Sequence, residues 1–282
     1  MKYLNKVDPS VRRSVPAVLL IMILISFVSC GSEFPASVDD PSQWKLVWNE
    51  EFDYEGAPDP EKWVHEILPP GAFNQELQGY RDNRENSRVE DGTLIIEARH
   101  IEGTRRGYTS ARMTTRFSLN MYLGRIEVRA KLPTALGTWP AIWMLPVSSE
   151  GRVGWPHSGE IDIMEHVGYD NGVVHASVHT SLYNHPNGNH PTATARIDGV
   201  GEEFHIYALE WTEEHLDFFI DERLVMRYEN DGTGYESYPF DRPFYLILNI
   251  AVGGQWGGLQ GVDVEQYPAR MEVDFVRVYE AR

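Results

Sequence analysis

A chain of 282 residues is long enough to bury one substantial core, and it shows no repeat of solenoid period. Acidic residues outnumber Lys and Arg 42 to 25, for a formal charge of −17. With no clustered basic residues to neutralise phosphates, this disfavours a nucleic-acid binder and favours a neutral or weakly charged partner.

In chain order, Lys2, Lys6, Arg12 and Arg13 precede the apolar run VPAVLLIMILISFV, which is shorter than the roughly 20 residues of a spanning helix. This reads as an export signal. The run closes in FVSCGS, which resembles the lipobox of bacterial lipoprotein signals, with Cys30 as the lipidated first residue of the mature chain and Phe27 where leucine is usual. The expectation is a signal peptide over 1–29 and an envelope or surface lipoprotein attached to the membrane through Cys30, with a non-lipidated, secreted protein or an uncleaved anchor as the alternatives. Cys30 is the only cysteine, so no intramolecular disulfide can form, and stability rests on packing, with or without a metal. The polar stretch GSEFPASVDDPSQ has the composition of a tether over 30–43, and the folded unit is expected to begin near Trp44 and run to 282 as one domain.

From there, short apolar alternations recur between Gly, Pro, Asn and Asp clusters. TLIIEAR (93–99), GRIEVRAKL (124–132), FHIYALEW (204–211), LDFFIDERLVMRY (216–228) and MEVDFVRVYEA (271–281) each read as a strand. In the last, Met271, Val273, Phe275 and Tyr279 share a parity that Arg277 interrupts, while Val276 and Val278 are apolar on the other side. Either both faces are covered or the period shifts at a bulge. EDGT, IDGVGEE and ENDGTG are turn signals, and no stretch offers several turns of amphipathic helix. An all-β sandwich follows.

SGEIDIMEHVG (158–168) sets three carboxylates among apolar residues. In a regular strand Glu160 and Asp162 share a face and Glu165 points away. A bulge at or near Met164 would turn Glu165 back, so that all three line one groove. The backbone separation of the two glutamates is then about 13 Å, which leaning side chains can close toward the roughly 5 Å of a retaining glycoside hydrolase. One carboxylate would act ionised as nucleophile and one protonated as acid, with Asp162 between them raising the proton affinity of its neighbour. Spacing alone leaves a calcium site or a solvated acidic edge as alternatives.

With LVWNEEFDYEG, NQELQGY, YTSARMTT, YLGRIEVRAKLP, GTWPAIWMLP and PFYLILNIAVGGQWGG alongside, the chain from 44 to 282 resembles glycoside hydrolase family 16, in its bacterial laminarinase-like members. The resemblance implies a concanavalin A-like jelly-roll sandwich with a substrate cleft on its concave sheet, and endo-cleavage of β-1,3-glucan by double displacement with retention. It implies Glu160 as nucleophile, Asp162 as the assisting carboxylate and Glu165 as acid/base. Trp139, Trp143 and Trp256 would line sugar subsites, since an indole face covers the apolar face of a sugar ring, and Trp155 would shape the cleft edge. Core packing is the alternative for each. Asn74 and Glu76 resemble residues that bond sugar hydroxyls. Arg112 could pair with cleft acids, and His179 could bond a catalytic carboxylate, the sugar, or serve structure alone. His185 and His190, in a Pro- and Asn-rich loop, are expected in solvent. QGYRDN after Glu76 departs from the commoner aromatic-rich pattern.

The resemblance further implies a structural calcium remote from catalysis, with Glu51, Asp274 and the Gly92 carbonyl as ligands and a salt bridge as the alternative. No cofactor is expected for catalysis. The expected partner is a β-glucan polysaccharide, mixed-linkage glucan and algal galactan being alternatives, and the expected state is a monomer. Transglycosylation and a non-catalytic glucan-binding module are the competing functions.

Overall fold

The computed structural model describes residues 44–148, 151 and 154–282. The expected signal peptide, the expected tether and Cys30 lie outside the described residues. Seventeen strands make up the fold: β1 Trp44–Glu50, β2 Val64–His65, β3 Gln78–Tyr80, β4 Ser87–Glu90, β5 Thr93–His100, β6 Tyr108–Ser110, β7 Arg112–Thr114, β8 Gly124–Lys131, β9 Thr138–Pro146, β10 Glu160–His166, β11 Val173–His179, β12 Thr192–Arg196, β13 His205–Trp211, β14 His215–Ile220, β15 Arg223–Glu229, β16 Phe244–Val252 and β17 Ala269–Ala281. Among the described residues the only helical turns are three short 3-10 segments.

The strands form two sheets. The larger runs β15-β14-β13-β8-β17-β5-β6-β3, with β1 added on β17 and β4 on β5, and the smaller runs β12-β11-β10-β9-β16-β7-β2. Neighbours in space are mostly distant in sequence, as in a jelly-roll-like sandwich, and the all-β expectation holds. The core lies between the sheets. Alternation supplies it: Ile126, Val128 and Ala130 from β8 meet Leu246, Leu248, Ile250 and Val252 from β16 in one buried cluster. Each such aliphatic side chain contributes roughly 1.5–3 kcal/mol by leaving water. β16 is buried along its whole length because its other face, through Tyr245, Asn249 and Ala251, forms the floor of a cleft rather than open surface.

Two strand expectations are refined. LDFFIDERLVMRY is a hairpin, not one strand: Asp221 and Glu222 both adopt left-handed backbone, at φ 48° and 63°, and reverse the chain between β14 and β15. In β17 the bulge alternative is the correct one. Val273 pairs with Ala130 and Phe275 with Arg129, so the register slips, and Met271, Val273, Val276 and Val278 all reach the core while Phe275 lies under the Arg277 guanidinium.

Candidate active site

β10 follows Gly159, whose φ of 88° is left-handed and whose missing Cβ admits Pro239 and Phe240. Against β9, Asp162 pairs with Trp143 and Met164 with Ile142; against β11, Asp162 pairs with Ser177 and Glu165 with His175. Over this step β10 uses one residue more than either neighbour, a bulge at Ile163–Met164. Ile161, Ile163 and Met164 are consequently all in the core, at most 1% exposed. Glu160, Asp162 and Glu165 face the other way and line one cleft of about 660 Å³.

Burial sets the electrostatics. Desolvation, then the charge of Asp162, push the Glu165 carboxyl up to about 8, against the hydrogen bond that Trp139 Nε1 donates to its Oε1 at 2.9 Å. Asp162 is likewise pushed up to about 8 by burial. Glu160 is raised well above the usual carboxylate range by burial and by its two acidic neighbours, while His179 and Arg112 pull it down. Glu160 and Asp162 thus hold a proton between them near neutrality rather than two charges. His179 is buried behind them, its Nε2 3.3 Å from Asp162 Oδ2 and 3.8 Å from Glu160 Oε1. The ligand atoms of Glu160, Asp162 and His179 lie within 4.8 Å of one another, so this buried set could hold a metal ion.

The remaining cleft wall comes from β9, β16, β7 and the loop before β3. Trp139, Trp143, Trp155, Asn74, Glu76 and Arg112 all line it. Asn74 donates to Glu76, whose other oxygen accepts from Gln78 Nε2 at 2.7 Å; burial raises the Glu76 pKa. Arg112 is not paired with the cleft acids. Its partner is Glu66, and its guanidinium lies 4.6 Å from the centre of the Trp143 ring. Trp143 donates to Asn249 Oδ1 at 2.7 Å and Asn249 to the Tyr80 hydroxyl at 3.1 Å, so the indole is fixed edge-on by a buried network. Trp256 stands outside the main cleft wall but packs edge-on against Trp139, ring centres 5.3 Å apart, and against His175 at 4.9 Å. Trp155, 40% exposed, caps the far end over His179 and His185.

Several lining residues were not singled out in the sequence: Phe73, Tyr80, Arg116, Tyr245 and Asn249. Asn249 carried a signal, as the one amide in the apolar run FYLILNIAV. Exposure holds for His185, and His190 corrects the solvent reading. His185 is exposed yet lines the cleft, and half-buried His190 stacks on His179 with ring centres 4.9 Å apart, because the loop after β11 folds back over the strand end.

Both carboxylates of the expected calcium set carry guanidinium partners. Glu51 accepts two hydrogen bonds from Arg277, at 2.9 and 2.8 Å, and Asp274 is paired with Arg129, while Gly92 sits in the β4–β5 turn at φ 73°. Both carboxylates are already neutralised by guanidinium groups, so the donor set does not fit a cation and the salt-bridge alternative describes the site.

A two-sheet sandwich with acidic side chains on the floor of an aromatic-walled cleft is the architecture of a carbohydrate-active protein. Residues 75–277 match the description of glycosyl hydrolases family 16. The chain is 48% identical over 283 residues to a beta-glucanase of Rhodothermus marinus, covering 98% of this chain and 97% of that one. The crystal structure of the laminarinase from Rhodothermus marinus superposes with a TM-score of 0.82 at 50% identity, covering 85% of this chain and 98% of that one. A non-specific endo-β-1,3(4)-glucanase of the same family follows at a TM-score of 0.80 and 42% identity, covering 85% and 96%. The chain belongs to glycosyl hydrolases family 16.

Proposed function

We propose that the protein is an endo-acting hydrolase of β-1,3-glucosidic bonds in laminarin-like glucans, working by double displacement with retention. The observation that carries this is the bulge in β10, which sets Glu160 and Glu165 on the same side of one strand, facing one cleft. Glu165, protonated near neutrality, donates its proton to the departing glycosidic oxygen while Glu160, ionised, attacks the anomeric carbon. The glycosyl-enzyme forms as the bond to the leaving chain breaks. Glu165, now a base, takes a proton from water, which attacks the same carbon and releases Glu160. Asp162 shares a proton with Glu160 and, with His179, fixes its orientation. Trp139 offers an uncharged face to a neutral sugar ring, which suits a glucan, while the Trp143 ring carries the Arg112 guanidinium.

The names of the relatives support a β-glucan substrate, and the non-specific endo-β-1,3(4)-glucanase among them keeps mixed-linkage glucan as the second reading. Reducing-end release from laminarin, lichenan and agarose on one purified sample separates them: laminarin is cleaved fastest, and agarose as the preferred substrate would overturn the reading. The anomeric configuration of the first product, followed by NMR, tests retention, with β expected. Glu160→Gln is expected to lower kcat by about 10³-fold or more with an unchanged circular dichroism spectrum; undiminished hydrolysis would leave only a glucan-binding role. Export with lipidation at Cys30 completes the proposal. Radiolabelled fatty acid should enter the wild type and not Cys30→Ser.

A further inference from the structure

Outside the cleft, a second cavity of about 410 Å³ lies between the β5–β6 loop and the glycine-rich segment after β16. Gln75 and Leu77 line it, while Asn74 and Glu76 of the same segment line the cleft, so the chain from 74 to 77 is a partition with a different set of side chains on each side. Arg105 and Arg106 stand at its wall. Although acids outnumber bases 42 to 25 in the chain, neither arginine has an ion pair among the described residues. On the opposite segment Asp263, next to the lining residue Val262, accepts from the backbone N–H of Glu265 at 3.1 Å and from Gln266 Nε2 at 2.8 Å.

Two features point to the same occupant. A pair of guanidinium groups with a side-chain amide beside them offers the planar, multiple donors that carboxylate and sulfate oxygens accept. The volume falls within the range of small-molecule sites and exceeds what one inorganic anion would fill. In the reacting cleft, Arg112 is held by Glu66 and the Arg116 guanidinium lies over the Tyr245 ring. We propose that this cavity is a second saccharide site selective for an acidic sugar unit, a uronate or a sulfated hexose, bound through Arg105, Arg106 and Gln75. It is separate from the proposed glucan hydrolysis and shares only the 74–77 partition with it.

The test is calorimetric titration of the full-length protein with glucuronic acid, glucose 6-sulfate, glucose and inorganic sulfate, repeated on Arg105→Gln/Arg106→Gln. At least one acidic sugar should bind saturably, with a Kd of about 1 mM or tighter, and glucose at least about tenfold more weakly. The double variant should lose that binding about tenfold while its kcat/KM on laminarin stays within about twofold of wild type. Absence of saturable binding, binding unchanged in the double variant, or inorganic sulfate binding as tightly as the acidic sugars would each overturn the proposal. Because laminarin hydrolysis is read separately, failure here leaves the glucanase reading standing.

Discussion

At Glu165 two influences oppose one another: burial and the charge of Asp162 push its carboxyl up to about 8, and the Trp139 indole N–H, 2.9 Å away, favours the ionised form. The acid must be protonated to act, so kcat/KM on laminarin is expected to fall along an alkaline limb near pH 8. Trp139→Phe removes the donor, which raises the Glu165 pKa further and moves that limb to higher pH, while lost sugar contact lowers the plateau; a pH–rate profile of both proteins reads this. Asp162 and Glu165 also hold their protons more tightly in the folded protein than in the unfolded chain, where carboxyls titrate near pH 4. Their contribution to stability is therefore complete below about pH 4 and is lost as pH rises through about 8. Asp162→Asn, neutral at every pH, is expected to raise Tm by about 3 °C at alkaline pH and to leave it unchanged near pH 4, by scanning calorimetry, at the expense of activity.

At the level of the strand, the bulge decides which way Glu165 points. Deleting Met164 should leave the strictly alternating run EIDIEH, remove the bulge and keep Glu165 on the cleft face beside Glu160 and Asp162, so that hydrolysis persists while the lost core side chain lowers Tm by about 5 °C or more. A variant that folds but shows no hydrolysis at all would argue against this account of the strand. The parity of EIDIMEHV made that bulge legible in sequence, because three acids in a core strand have no other common side. The β14–β15 hairpin was less legible: Asp-Glu is not a usual turn pair, and only the two left-handed residues disclose the reversal. Other parts of the site were out of reach of local pattern. Tyr80, Asn249 and Trp143 are 169 and 106 residues apart along the chain in their two hydrogen bonds, and only the strand order unites them. Arg112 shows the same limit, since its residue type suggested a cleft acid as partner and the fold supplied Glu66.

Across the whole molecule the charges are sorted by sheet. On the outer face of the larger sheet, Arg125 is buried among Glu127, Glu210 and Glu222, Arg227 grips Asp217, and Arg277 ties β17 to Glu51 beyond the end of β1. Arg277→Met is expected to lower Tm by about 2–4 °C, and chelation with EDTA to leave the wild-type Tm unchanged, in a thermal melt. An EDTA-sensitive Tm would restore the calcium reading. On the cleft side, by contrast, three buried carboxyls crowd together against desolvation, and that sheet carries the strain of its work. Because the stabilising lattice and the strained one sit on opposite sides of a common hydrophobic layer, they can be altered independently. Heat resistance could be engineered into this catalyst from its back, away from the cleft.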